Sequence, residues 1–274
     1  PRFDVTELVE ELGSATVWMS VPTMSRRLVD HARGLDPASR SKLAARLGAL
    51  RLITSGSAAL PVPLARELEE LFGAIPLERY GMTEIGIVLS NALEASARGL
   101  GAVGRPLPGV EVHVHAEAGG ADRGELWVRG PTVFEGYLGA GDPRDSSGWF
   151  RTGDVVERGE DGVIRILGRA SVDIIKTGGE KVSALEIEAV LLEQVAEACV
   201  IGLPDEQWGE RVVAAVVPHS GQSLQGEQLV RALRGRLSGY KIPKEIRVFA
   251  ALPRNAMGKL DKPAVKRAWT ARGA

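Results

Sequence analysis

The chain has 274 residues, 44% of them hydrophobic and 25% charged, with a formal net charge of −1. That is ordinary water-soluble composition with room for about two domains, and a single cysteine excludes a disulfide framework. The balanced charge speaks against nucleic acid or an anionic membrane as the main partner, and no apolar run approaches the roughly 20 residues of a membrane span.

In chain order, the first hundred residues alternate helix and strand patterns. "VTELVEEL" predicts a short amphipathic helix, "ATVWMSV" a strand and "TMSRRLVDHA" a helix. "LRLITS" then predicts a strand, and "PLARELEELFG" a helix ending at Gly73. This alternation predicts a parallel sheet with covering helices. From 101 to 168 the character changes. "VEVHVHAE", "GELWVRG" and "GVIRILG" are short strands between Gly, Pro and Asp turns, which predicts a small barrel or an antiparallel sheet. Beyond Gly168 the pattern is mixed again. "SALEIEAVLLEQ" carries Ser183 and, three residues on, Glu186, a capping box before a helix. Strands "EACVIGL" and "RVVAAVVP" follow, then helices near 225–237 and 263–270. The fold class is α/β in two domains, 1–168 (an α/β part to 100, then a β part) and 169–274. Cys199 lies in an apolar strand and reads as a buried structural thiol.

Several stretches imitate functional motifs. "TSGSAALP" (54–61) has the strand–loop–helix setting of a ligand loop, but its one glycine and missing lysine do not suit a triphosphate. Gly99 to Gly104 spells the dinucleotide fingerprint, yet "RPLPGV" follows and no helix can start there. His113 and His115 share one strand face without a third ligand type nearby, which reads as a solvated surface. The last 34 residues carry nine Lys/Arg against two Asp/Glu, and a solvated basic surface is the expectation there.

Four further stretches are informative together. In "ERYGMTE" (78–84) the Tyr80 ring offers a stacking plane and Gly81 permits close backbone approach. Thr83 and Glu84 there pair a phosphate donor with a Mg²⁺ ligand. "WFRTGD" ends in Asp154, whose carboxylate suits two ribose hydroxyls. "GRASVDIIKTGGEKVSALEIE" is Gly-rich at the domain boundary, and in "LPRNAMGKLDK" Lys259 follows Gly258 in a loop. In this order they resemble the core motifs of the adenylate-forming enzymes: acyl-CoA synthetases, luciferases and peptide-synthetase adenylation domains. The finer resemblance, carried by "VPTMSRRL", "SGSAALP", "ERYGMTEIG", "VGRPLPGVEV" and "VDIIKTGGEKVSALEIE", is to malonyl-CoA and methylmalonyl-CoA synthetases.

The resemblance implies the end of a large AMP-binding domain, with an α/β layer and a small β-barrel subdomain, followed by a small mobile C-terminal domain. It implies ATP with Mg²⁺ and coenzyme A as co-substrate. Lys259, Thr83 and Glu84 are then the catalytic residues, with Glu84 on Mg²⁺. Ser55, Gly56, Ser57, Glu78, Arg79, Tyr80, Gly81, Met82, Thr83, Asp154 and Arg169 bind nucleotide. Arg27, Ser57 and Met82 form the acyl pocket, with Arg27 turned inward on the helix face of Met24 and Leu28 as the counter-charge of a second carboxylate. Lys176, Gly178, Gly179 and Glu180 face coenzyme A, and Ser171 is the hinge. Two departures stand out: Glu180 replaces an aromatic residue of relatives, and Ser171 stands where they often have Asp or Lys.

The family's phosphate loop lies upstream of Pro1, so the expectation is a C-terminal half that depends on a missing N-terminal half, acting on malonate or methylmalonate. The cytoplasm, or the mitochondrial matrix in a eukaryote, is the expected compartment. A carrier-protein-loading adenylation domain and a non-catalytic nucleotide-binding half remain as alternative readings.

Overall fold

Caps and prolines set the first elements. In a computed structural model, which describes residues 3–73, 75–116, 122–219, 221–255 and 258–271, the Asp4 carboxylate accepts the N–H of Thr6 at 2.7 Å and starts helix α1 (Val5–Glu11). Strand β1 (Val17–Ser20) leads to α2 (Pro22–Arg33), opened by a proline whose fixed φ suits a first helical turn. Helix α3 (Pro37–Gly48), capped by Asp36, was not expected from the sequence. Its only buried residues are Leu43 and Leu47, too sparse a stripe to stand out among Arg, Lys, Ala and Ser. Strand β2 (Leu52–Ser55) and helix α4 (Val62–Phe72) follow, and Gly73 ends the helix at φ 65.

Strands β3 (Leu77–Met82), β4 (Gly86–Ser90) and β5 (Arg105–Pro106) complete a sheet in the order β1-β2-β3-β4-β5. β1, β2 and β3 are parallel, as their intervening helices require, but β3–β4 and β4–β5 are antiparallel. The sheet is therefore mixed rather than parallel. Only a tight turn separates Met82 from Gly86, and a parallel crossover needs a dozen residues or more. Helices α2, α3 and α4 bury Leu28, Val29, Leu43, Leu47, Leu64 and Leu68 with Trp18 and Ile53 of the sheet.

Strands β6 (Glu111–Ala116), β7 (Arg123–Arg129), β8 (Phe150–Arg158) and β9 (Ile164–Arg169) form a four-stranded sheet in that order, with β6 and β7 antiparallel. Alternate residues Gly124, Leu126 and Val128 of β7 are buried, the period-2 signal that the sequence carried. Glu117, the last residue of the expected first strand, lies outside the described residues.

Contacts divide the chain into two compact units: Pro1–Thr152 with Val156–Ile166, and Gly153–Val155 with Leu167–Ala274. The second unit holds β10 (Ile174–Thr177), β11 (Glu180–Ser183), β12 (Glu197–Asp205), β13 (Gly209–Val217) and β14 (Glu245–Val248). They are ordered β11-β10-β13-β12, with β14 parallel to β13. Helices α5 (Ala184–Leu191), α6 (Gly226–Leu233) and α7 (Lys262–Ala271) accompany them. Val200, Val212 and Ala214 pack with α5 and α6, whereas Cys199, Ile201 and Val213 pack with α7 through Val265 and Trp269. Burial on both faces explains why β12 and β13 read as continuous apolar runs.

The expected capping box forms only by half. Ser183 Oγ accepts the Glu186 N–H at 3.2 Å, but the Glu186 carboxylate turns away to Lys241, 2.6 Å distant. Helix α6 stops at Leu233, short of the expected 237, where Arg234 turns extended before Gly235 at φ 84.

Candidate active site

In the first unit, β1, β2 and β3 point the same way, and Ser20, Ser55 and Glu78 stand side by side across them. The carboxyl edge of such parallel strands is where open α/β sheets take their ligands. Ser20 Oγ donates to the Thr54 carbonyl at 2.7 Å, tying the edge together. The hydroxyls of Thr54 and Ser55 are buried there without a hydrogen-bond partner among the described residues, a deficit that a ligand at this edge would relieve. Gly56 is covered by the Arg79 guanidinium so closely that a Cβ there would collide with it. Ser57 adopts φ 66, alone among the described non-glycine residues, a left-handed conformation that costs about 1–2 kcal/mol. Strain of this kind concentrates at ligand loops.

The same loop is pinned from behind. Glu78 is 5% exposed, and its Oε2 accepts the Leu60 N–H at 3.3 Å. The Gly101 N–H also stabilises the carboxylate, but burial dominates and pushes its pKa up to about 7. One residue on, Arg79 faces the loop, while Tyr80 and Met82 pack against the cluster of Ile85, Val88 and Leu89. The register slips between Tyr80 and Gly81, and a Cβ on Gly81 would strike the Gly86 carbonyl. Only glycine allows that approach.

The turn after β3 exposes Thr83 and half-buries Glu84. Tyr137 Oη donates to Glu84 Oε1 at 2.9 Å, and its ring meets Phe134 edge-on at 4.9 Å. No local pattern in the sequence gives Tyr137 a role, because its partner lies 53 residues away. A hydroxyl and an oriented carboxylate are the hard oxygen donors that Mg²⁺ prefers. No group of three or more His, Cys, Asp or Glu able to hold a metal occurs among the described residues. Mg²⁺ is commonly held by one or two carboxylates together with substrate phosphates rather than by a protein cage.

Arg27 departs from its expected packing. It is exposed, donates through Nη1 to the Phe3 carbonyl at 3.1 Å, and lies 5.9 Å from the Phe3 ring centroid. With Asp30 and His31 it lines an open cleft of about 510 Å³. The inward arginine is Arg26, paired through both terminal nitrogens with Glu67 of α4 at 2.8 and 2.9 Å. The helix packs against α4 as well as the sheet, and the carboxylate on that flank captures residue 26.

In the second unit, Asp154 is 7% exposed beside Gly153 at φ 74, and Arg169 Nε lies 3.0 Å from its Oδ1. The Ala170 N–H donates to the Gly153 carbonyl at 3.0 Å, so Arg169 and Ala170 rest on this pair while Ser171 is exposed. Lys176, Gly178, Gly179 and Glu180 form a hairpin between β10 and β11. Its two glycines sit at φ 59 and φ 85, the pattern of a type I′ turn. Trp208 was missed by the sequence reading. Its carbonyl accepts the Gly178 N–H at 2.9 Å, its ring blocks any Cβ at Gly178, and it is 40% exposed. An aromatic face thus stands at this hairpin although Glu180 supplies none.

Lys259 is exposed at the end of a closed loop. Its N–H donates to Asn255 Oδ1 at 3.0 Å, Asn255 donates back to the Lys259 carbonyl at 2.9 Å, and Gly258 sits at φ 77. Its ammonium has no carboxylate partner among the described residues, and Ala256 and Met257 of the motif lie outside them. Other basic residues of the last stretch are paired internally: Lys241 with Glu186, Arg247 with Glu245, Arg254 with Glu197. The basic tail is therefore less free than its composition implied.

His115 stacks on Trp127 at 4.2 Å, and His113 meets Trp127 and Trp149 edge-on or tilted near 6 Å, all on a sheet face. Gly99 to Gly104 run into strand β5, with Gly104 pressed against the Ser90 carbonyl. Cys199 is fully buried, and burial raises its pKa to about 12, which suits packing rather than nucleophilic chemistry. No helix among the described residues is long and apolar enough to cross a membrane.

Residues 1–138 match the family of AMP-binding enzymes, and residues 186–259 match the AMP-binding enzyme C-terminal domain. The chain is 41% identical over 271 residues to the malonate–CoA ligase of Arabidopsis thaliana, covering 93% of this chain and 44% of that protein. It is 41% identical over 305 residues to the mitochondrial malonate–CoA ligase of Homo sapiens, covering 97% and 53%. The ATP-bound crystal structure of MatB from Rhodopseudomonas palustris matches with a TM-score of 0.87 at 35% identity, covering 100% of this chain and 55% of that one. The chain spans about half the length of the curated relatives it matches.

Proposed function

The chain belongs to the AMP-binding enzyme family, and on that premise we propose that it is the C-terminal half of an AMP-forming acid–thiol ligase acting on malonate or methylmalonate. A carboxylate oxygen attacks the α-phosphorus of ATP, the bond to pyrophosphate breaks, and an acyl-adenylate forms. The thiolate of coenzyme A then attacks the acyl carbonyl and AMP leaves. The observation that carries this reading is the loop after β2. The buried hydroxyls of Thr54 and Ser55 at the end of β2, unpartnered among the described residues, and the strained Ser57 that follows sit at the carboxyl edge of three parallel strands, the chemistry of a site completed by a polar ligand.

Each residue then has a task that its setting supports. Tyr80 offers its ring to adenine, and Ser55, Gly56, Ser57, Glu78, Arg79, Gly81 and Met82 shape the loop around the nucleotide. Asp154, oriented by Arg169, accepts the ribose hydroxyls. Thr83 binds the α-phosphate and Glu84 carries Mg²⁺, which when bound neutralises the phosphate charge that would repel an incoming carboxylate. Lys259, whose ammonium has no carboxylate partner among the described residues, meets the charge that builds between two anions. Losing a preorganised charge of this kind typically costs about 10²–10³ in rate.

Lys176, Gly178, Gly179 and Glu180 form the acceptor face, with Trp208 supplying an apolar plane for the pantetheine arm, and Ser171 lies in the hinge between the two half-reactions. Arg27 pairs with the second carboxylate, and Ser57 and Met82 complete the acyl wall. The dicarboxylate assignment rests on the two malonate–CoA ligases at 41% identity. The test is malonate-dependent pyrophosphate release by the complete enzyme, with Lys259→Ala as the control. That variant is expected to lose adenylation by two or more orders of magnitude while still converting supplied malonyl-adenylate to the thioester. Equal loss of both steps would refute the assignment of Lys259.

A further inference from the structure

Lys262 occupies the first position of α7, where the aligned peptide dipoles disfavour a cation. Its side chain does not escape to solvent. The ammonium lies 2.6 Å from Asp173 Oδ1 and 2.9 Å from Glu188 Oε1, and donates to the Val200 carbonyl at 3.2 Å. The three side chains are only 12%, 14% and 10% exposed. Burial opposes the positive charge, but the two carboxylates outweigh it and hold Lys262 protonated, above the ordinary lysine range. A buried triad of charges is a poor source of stability, since apolar side chains of similar volume do as well or better. Its value lies in what it joins.

On one side is the turn of the expected hinge. Asp173 Oδ2 accepts the Arg169 N–H at 2.9 Å, the Asp173 N–H donates to the Arg169 carbonyl at 2.8 Å, and a Cβ on Gly168 would run into the Asp173 side chain. On the other side is the root of the Lys259 loop. The Asp261 N–H donates to the Pro253 carbonyl at 3.0 Å, Arg254 and Leu260 form a bridge, and Asp261 Oδ1 caps α7 through Ala264. Glu188, the third member, also accepts the Val200 N–H at 2.8 Å and so anchors the ammonium to β12. Lys262 is the side chain through which the loop root and the turn meet.

We propose that Lys262 is a positioning residue: it registers the Lys259 loop against the Arg169–Asp173 turn, so that loop and turn move as one body. The catalytic consequence rests on the function proposed above, whereas the tie itself does not. Lys262→Met alone strands two buried carboxylates and can simply unfold the unit. The informative variant is therefore the triple Lys262→Met, Asp173→Asn, Glu188→Gln, which removes every charge and keeps an acceptor for the Arg169 N–H.

Amide hydrogen exchange of the full chain reads the tie directly. In the triple variant, peptides covering 168–173 and 253–261 should exchange at least tenfold faster, while β12 and β13 keep wild-type protection. Lys262→Arg, which keeps the charge, should stay within threefold of wild type in all segments. In the complete enzyme the triple variant should lose adenylation at least tenfold through kcat with KM for ATP unchanged. It should convert supplied acyl-adenylate within threefold of wild type. Unchanged exchange at both segments, uniform loosening of the whole unit, or undiminished adenylation would each overturn the proposal. A wild type that releases no acid-dependent pyrophosphate would overturn the functional reading and leave the tie, read by exchange, standing.

Discussion

Replacing Glu78 by Gln isolates the one carboxyl that holds the loop after β2 from within. Glu78 is 5% exposed, accepts the Leu60 N–H, and has no ion pair among the described residues. Burial raises its pKa from an ordinary 4.5 to about 7. Between those values the folded protein binds a proton that the unfolded chain releases. Its contribution to stability is therefore complete below pH 4.5 and is lost as the pH rises through 7. At about 1.4 kcal/mol per tenfold preference, the whole loss is roughly 3 kcal/mol, or on the order of 6–12 °C in Tm. Glu78→Gln mimics the protonated form: it keeps a carbonyl oxygen for Leu60 and cannot titrate. The assay is thermal unfolding of both proteins from pH 4 to pH 9. Wild type should lose stability relative to the variant across that interval, and the difference between the curves cancels every group that the two proteins share. Parallel curves would refute the reasoning and mean that water or a cation reaches this carboxylate.

Two smaller predictions follow from the same unit. Arg27 is exposed and its hydrogen bond and cation–π contact are both with Phe3, so Arg27→Met should leave Tm unchanged within about 2 °C. In the complete enzyme it should lower kcat/KM for malonate by about two orders of magnitude relative to propionate, which has no second carboxylate to strand. Equal losses for both acids would make Arg27 structural. Tyr137→Phe keeps the ring contact with Phe134 but frees the Glu84 carboxylate. The Mg²⁺ concentration for half-maximal pyrophosphate release should rise about tenfold, the usual effect of losing a group that orients a metal ligand. An unchanged Mg²⁺ dependence would remove Tyr137 from the site.

What could be read in the sequence was local. Strand–loop–helix order, the Gly73 cap, the paired glycines at 178 and 179 and the two-faced strands β12 and β13 each have a cause within a few residues. The misses are long-range. The capping box at Ser183 is half-made because Lys241 outcompetes a backbone N–H for the Glu186 carboxylate. Helical periodicity found the core face of α2 but not that Glu67 waits on its flank, so Arg26 rather than Arg27 is the inward arginine. The antiparallel return at β4 was hidden because apolar runs carry no direction.

Three residues share one further property: their local setting gives them no reason to be there. Lys262 heads a helix whose dipole repels it, and an exposed Trp208 stands beside a glycine turn. Ser57 adopts a backbone conformation that its side chain resists. Asp36, by contrast, sits where any helix start would want it and explains nothing beyond α3. A locally unfavourable residue persists only if something distant compensates, and here the compensating partners are Asp173 and Glu188 for Lys262 and the covered Gly178 for Trp208. Among the described residues no partner accounts for the strain at Ser57, which lies beside the hydroxyls of Thr54 and Ser55 that are likewise unpartnered there. A strained residue uncompensated from within is the mark of a site that its substrate completes.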